Sequence, residues 1–191
     1  MNKTLLTIAA LAALAALAST AACSDDKDTI DLSDYTEWRE QNDKWVEELR
    51  AKTGEDGKPY YNVVTPVWNP GTFILMHSFT DPAETAGNLT PLYTSTVDVI
   101  YEGYDCTGRM FDSSKNETSY GRKGVSRFTL NRTIEGFAIA LERMQVGDSV
   151  EIIVPYGAAY GTTASQNIDP YTSIRFNLRL VDIYRYERPT Y

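Results

Sequence analysis

The sequence predicts an α+β fold: an antiparallel sheet with one amphipathic helix packed on it, preceded by an N-terminal helical extension. Three observations carry this. From Tyr60 onward, short β-branched and aromatic runs recur between turn signals. Within that region a single stretch, Ile134 to Leu141, repeats apolar residues at helical spacing. Ahead of it, a charged segment places two tryptophans on one helical stripe.

The front helix is expected to start at Asp34, which can cap it, with Glu37 three residues on in capping-box position. Tyr35, Trp38, Asn42, Trp45 and Leu49 form its inward stripe, and Gly54 to Pro59 ends it. The first strand is expected over Thr72–Phe79. The next, Thr96–Glu102, puts Val97, Val99 and Tyr101 on one face. Asp105-Cys106-Thr107-Gly108 reads as a loop tip, with Cys106 either a small turn residue or a reactive thiol. Ser126–Leu130 is a short strand. Ile134, Phe137, Ala138 and Leu141 follow at i, i+3, i+4 and i+7, stopped by Met144 to Asp148. Ser149–Val154 is β-branched, and Ile174, Phe176, Leu178 and Leu180 alternate with Arg175, Asn177 and Arg179.

Composition narrows the function. The 191 residues carry 26 acids against 18 bases, a formal net charge of −8, which argues against sequence-independent nucleic-acid binding. The single histidine, His77, makes a His-dependent triad unpromising and a multi-His zinc site impossible. Two cysteines allow at most one disulfide. The acidity is uneven: residues 24–60 hold 12 acids and 6 bases, residues 61–191 hold 14 and 11. It belongs to the front segment and says little about a substrate.

The first 22 residues read as a secretory signal: a basic start, a Leu/Ile/Ala run too short for a good membrane span, and small residues before the cleavage point. Thr20-Ala21-Ala22-Cys23 resembles the lipobox of bacterial lipoproteins, which implies that Cys23 becomes the lipidated first residue. Thr20 stands where a larger aliphatic residue is usual; the alternative is plain cleavage with Cys23 a bystander. Ser24 to Asp28 is similar to the acidic export tag of surface lipoproteins in some Gram-negative anaerobes. The expected anchor is lipid alone. The location is the outer membrane or cell surface, with the periplasmic face as the alternative. With Cys23 lipidated, Cys106 has no disulfide partner.

From residue 95 to 183 the order of segments resembles the FKBP-type peptidyl-prolyl isomerases. The segments are Val99-Ile100-Tyr101-Glu102-Gly103, Gly108-Arg109-Met110-Phe111-Asp112, Ile134-Glu135-Gly136-Phe137, Met144-Gln145-Val146-Gly147 and Val154-Pro155-Tyr156-Gly157-Ala158-Ala159-Tyr160-Gly161, with Phe176 on the last strand. The resemblance implies a twisted sheet wrapped around the helix. It divides the chain into a signal peptide (1–22), a lipidated tether (23–33), a helix and lead-in strand (34–93) and an isomerase domain (94–186).

It also implies a substrate-binding pocket of Tyr101, Phe111, Ile134, Phe137, Ile168 and Phe176. Tyr160 would offer its hydroxyl to the substrate carbonyl, and Asp112 would be a buried carboxylate acting electrostatically. Taken singly, the aromatics read as core and Asp112 as a turn-former. The implied partners are proline-containing polypeptides, and no metal, cofactor or nucleic acid is called for. Ser126, Asn131 and Thr133 depart from the family's usual residues. So do the long polar loop Lys115–Gly124 and the loop after Tyr160, which lacks the usual Gly/His-rich tip. Two further readings stand beside the enzyme. One is a non-catalytic chaperone or binding module on the same fold, with the front helix as contact surface; the other is a glycan-binding or structural lipoprotein, suggested by the export tag and 13 tyrosines.

Overall fold

The computed structural model describes residues 31–119, 122–165 and 167–184. The expected signal peptide, Cys23 and the part of the expected tether through Ile30 lie outside them.

The front helix α1 spans Thr36–Arg50. Its start differs from expectation. Asp31, not Asp34, supplies the cap: its carboxylate accepts from the Ser33 N–H at 3.0 Å, opening a 3-10 turn at Leu32–Tyr35 that runs straight into α1. The first donors of α1 therefore continue a turn already begun, and Asp34 is not needed as a cap. Trp45 and Leu49 pack inward as expected, but the most buried apolar residue of the helix is Val46.

The strands are β1 (Asn62–Val64), β2 (Ile74–Ser78), β3 (Thr96–Tyr104), β4 (Met110–Ser113), β5 (Thr118–Ser119), β6 (Arg122–Lys123), β7 (Ser126–Thr129), β8 (Ser149–Val154) and β9 (Ile174–Tyr184). A short helix, α2 (Pro82–Thr85), follows β2, and α3 (Glu135–Leu141) precedes β8. Seven strands form one antiparallel sheet in the order β1-β2-β8-β9-β3-β4, with β7 also paired to β3; β5 and β6 form a separate hairpin. β3 is the longest-paired strand, running beside β9 from Thr96↔Tyr184 to Tyr104↔Arg175. Its other edge is shared by β7 at one end and β4 at the other.

Two cores explain the apolar runs. Ile74, Ile152, Val97, Val99, Leu178 and Leu180 meet α3 on one face of the sheet. The residues one step along, Leu75 and Ile153, face the other way and are covered by Val46, Trp45 and Leu49 of α1. Ile74-Leu75 of β2 and Ile152-Ile153-Val154 of β8 are thus buried on both faces, which is why these stretches read as continuous apolar runs rather than alternating ones. On β9, by contrast, Arg175, Asn177 and Arg179 are only partly covered or exposed, and the alternation is clean.

Two carboxylates are buried among the described residues, Asp98 in the sheet and Asp105 in the turn after β3. Asp98 is 2% exposed and accepts from Arg127 Nε at 2.6 Å and Nη2 at 2.8 Å. Arg122, on the hairpin, reaches Asp98 at 3.6 Å and Asp182 at 3.7 Å, tying the β5–β6 hairpin to the sheet. A buried carboxylate is tolerable only when it is paired in this manner.

Candidate functional site

Between α3 and the β3–β4 end of the sheet lies a cavity of about 550 Å³. Its floor is Phe137, in the first turn of α3. Gly136 allows this depth: a Cβ there would stand 2.3 Å from Val154 Cγ1, so the helix approaches β8 closely only without a side chain. Around the Phe137 ring stand Tyr101, Phe128 and Phe176, with centroids at 6.2, 5.8 and 5.4 Å and interplanar angles of 81°, 82° and 73°. Phe111 closes the wall, 6.0 Å from Phe176 at 72°. Every pair is edge-to-face, the geometry the ring quadrupoles favour.

Gly103 of β3 is what lets Phe111 and Phe176 meet. A Cβ at this position would fall 2.8 Å from an atom of each ring.

The polar groups sit at the mouth. Tyr101 donates its hydroxyl to Asp112 Oδ2 at 2.8 Å. Burial, then that hydrogen bond, then the carboxylate's charge raise the Tyr101 phenol well above its ordinary value. Burial also raises Tyr160, with the Asp112 charge adding to it. Both phenols are therefore protonated donors at neutral pH. Tyr160 is 37% exposed and has no hydrogen-bond partner among the described residues, so its O–H is free to donate.

Seven of the eight predicted pocket residues line this cavity: Tyr101, Phe111, Asp112, Ile134, Phe137, Tyr160 and Phe176. Ile168 does not. It is buried in the core behind the wall, held in a bridge with Ser165. Asp112 is exposed rather than buried, because β4 is an edge strand with alternating exposure. Sequence reasoning did not carry Phe128, Arg132, Glu135 and Ala159 into the site, although all four line it. Phe128 had a usable signal, an aromatic on the strand before α3. Thr133 also lines the cavity, but it donates its hydroxyl to the Leu130 carbonyl at 2.7 Å, so that group's hydrogen is already used.

Cys106 belongs to a turn. Asp105 Oδ1 accepts from the Thr107 and Arg109 N–H groups at 2.9 and 3.1 Å. Burial and then the Asp105 charge push the Cys106 thiol up to about 11, which favours the turn residue over the reactive thiol.

The front helix contributes no residue to the cavity wall; it holds the rim from behind. Trp38 Nε1 donates to Thr172 Oγ1 at 2.9 Å, and the Ser173 N–H donates to Asn42 Oδ1 at 2.8 Å. Both partners end the loop that starts at Tyr160. Asn42 and Ser173 are fully buried. Asn42→Ala leaves the Ser173 N–H without its acceptor and is expected to destabilise the fold by about 1–2 kcal/mol. A urea midpoint equal to the wild type's would mean the loop end is held by other contacts.

Comparison with known proteins gives the following. A family model described as FKBP-type peptidyl-prolyl cis-trans isomerase matches residues 87–181. The chain is 32% identical over 102 residues to the macrophage infectivity potentiator of Trypanosoma cruzi, covering 53% of this chain and 50% of that protein. It is 35% identical over 95 residues to the peptidyl-prolyl cis-trans isomerase Mip of Coxiella burnetii, covering 49% and 39%. It spans half or less of the length of these curated relatives. Among solved structures, a peptidyl-prolyl cis-trans isomerase from Pseudomonas syringae shares the fold, with a TM-score of 0.60 and 24% identity over 78% of this chain and 95% of that one. FkpA from Escherichia coli does so at 0.61, with 21% identity over 79% and 61%.

Proposed function

We propose that the cavity, within the residues 87–181 that match the model described as FKBP-type peptidyl-prolyl cis-trans isomerase, isomerises X–Pro bonds in exported polypeptides by non-covalent catalysis. The observation that carries this is the enclosure of Phe137 by three edge-to-face rings beside two protonated phenols.

An X–Pro bond prefers trans only slightly but crosses a barrier of about 18–20 kcal/mol, because rotation breaks amide resonance. Neither nucleophile nor metal is needed to lower it. The aromatic floor takes the prolyl ring and excludes water from the amide. Without resonance the twisted amide's carbonyl oxygen is a weaker acceptor, so a donor there favours the twisted state only by position, meeting the oxygen where rotation carries it, the role assigned to the Tyr160 hydroxyl. Asp112 acts as a fixed charge that also orients Tyr101. A thousandfold acceleration asks for only about 4 kcal/mol of preference for the twisted state.

That the front helix stays out of the cavity favours the enzyme over a binding module with a filled pocket. In a protease-free isomerisation assay the full chain is expected to accelerate a proline peptide, and Tyr160→Phe to lower kcat/KM about fivefold, the worth of one hydrogen bond. No acceleration by the intact chain overturns the reading and leaves the non-catalytic chaperone or binding module.

The lipoprotein expectation joins this proposal: Cys23 carries lipid and holds the domain at the outer membrane or cell surface, near emerging client chains. Mass spectrometry of the membrane fraction is expected to show an N-terminal peptide starting at acylated Cys23. A mature mass without acyl chains refutes it.

A further inference from the structure

Two turns beside the cavity leave large apolar side chains in water. On the first, Trp68 is 59% exposed; on the second, Leu92 and Tyr93 are 61% and 51% exposed. The Trp68 and Tyr93 rings meet across the turns, centroids 6.3 Å apart and tilted by 50°.

Each turn is braced internally; the first is bonded to Glu135 and the second to Leu130, at the head of the 3-10 turn that carries Arg132. In the first, the Thr72 N–H donates to the Asn69 carbonyl at 3.1 Å, and Asn69 Nδ2 donates to Thr72 Oγ1 at 2.9 Å. The same amide donates to Glu135 Oε1 at 3.0 Å. In the second, the Ser95 N–H donates to the Leu92 carbonyl at 2.8 Å and the Leu92 N–H to Ser95 Oγ at 2.9 Å. The Ser95 carbonyl accepts from the Leu130 N–H at 3.0 Å. Glu135 lines the cavity, and Leu130 opens the turn whose Arg132 lines it. The aromatic pair is thus continuous with the α3 side of the site and held in place without any ligand.

Exposed apolar side chains that are gathered together, unlike ones scattered singly, call for a partner. Continuity with the cavity selects the occupant. A chain that has put its proline on Phe137 must leave across the rim, and an unfolded polypeptide carries large apolar residues that the cavity cannot also take. We propose that Trp68, Leu92 and Tyr93 form a shelf that binds large apolar side chains flanking the proline of the same substrate chain. The protein thereby selects prolines in hydrophobic, core-forming segments. This rests on the isomerase reading of the cavity.

The test uses the full chain and two proline peptides long enough to run past the cavity on both sides. One has Leu and Phe flanking residues, the other has Ser in their place, and a proline tetrapeptide serves as reference. The wild type is expected to prefer the apolar-flanked peptide by about tenfold in kcat/KM, mostly through KM. Trp68→Ser/Tyr93→Ser is expected to bring that preference close to one, and Trp68→Phe to retain most of it. No preference in the wild type, or one that survives the double substitution, overturns the shelf. Sedimentation that shows a wild-type dimer lost in the double variant, with the peptide preference unchanged, assigns the patch to a second copy and also overturns it. If even the tetrapeptide is not accelerated, the isomerase reading has failed. Fluorescence anisotropy of the two labelled long peptides then reads the shelf by itself, tighter binding of the apolar one supporting it and equal binding overturning it.

Discussion

Phe137→Ala is expected to lower the stability of the chain by about 3–5 kcal/mol and to reduce isomerisation by at least about tenfold. The ring is 5% exposed and serves as the common edge-to-face partner of Tyr101, Phe128 and Phe176. Truncation removes the transfer free energy of the ring and leaves a hole under the cavity that α3 and β9 cannot close without moving. Against a typical total of about 5–15 kcal/mol, such a loss is severe, so activity has to be compared at a temperature where circular dichroism shows both proteins folded. Phe137→Leu separates the two effects. It keeps most of the apolar volume and is expected to cost only about 1–2 kcal/mol, yet it presents no ring face to proline. An alanine variant with a denaturation midpoint near the wild type's would show that Phe137 is not the keystone of this wall.

The parts of the fold legible in the sequence are those whose apolar residues keep a period. β9 alternates because one of its faces meets α3 and the other is partly open to water. α3 is buried at every residue from Gly136 to Leu141, so its i, i+3, i+4 and i+7 spacing marks the helical period and not a single buried stripe. β1 and β4 leave no such trace. β1 has three residues on a sheet edge, and β4 is an edge strand whose Met110 and Asp112 are exposed. The cap moved from Asp34 to Asp31 because both are good caps and only the 3-10 turn decides between them.

The site divides along a similar line. Tyr101, Phe111, Phe137 and Phe176 come from four separate elements and Tyr160 from the loop after β8, and no local pattern brings them together. The order of motifs did so through a family resemblance, and that resemblance carries positions but not exposure. It could not place Asp112 at the mouth, nor Ile168 behind the wall. Nor does any sequence signal reveal that Asn69, 66 residues before Glu135, holds that rim carboxylate.

Gly136→Ala sets two local rules against each other, and their magnitudes decide the outcome. Helix propensity alone favours alanine over glycine by up to about 1 kcal/mol, and less so at the second residue of a helix that frays. The new Cβ, however, would stand 2.3 Å from Val154 Cγ1, 3.0 Å from its Cγ2 and 3.2 Å from Ile74 Cγ2. Val154 and Ile74 are fully buried and β-branched, so neither side chain can swing clear within a staggered rotamer. The helix must lift off β8, carrying Phe137 with it. Overpacking of this kind is expected to win, with a net destabilisation of about 3 kcal/mol and a loss of isomerisation, because the cavity floor is displaced. Val154→Ala removes both of the closest atoms. In the double variant Gly136→Ala/Val154→Ala the helix can settle back, so its stability should exceed the sum of the two single changes by about 1–2 kcal/mol. Urea denaturation of all four proteins closes the cycle. Additive losses would mean that the close approach of α3 to β8 is not what glycine at 136 secures.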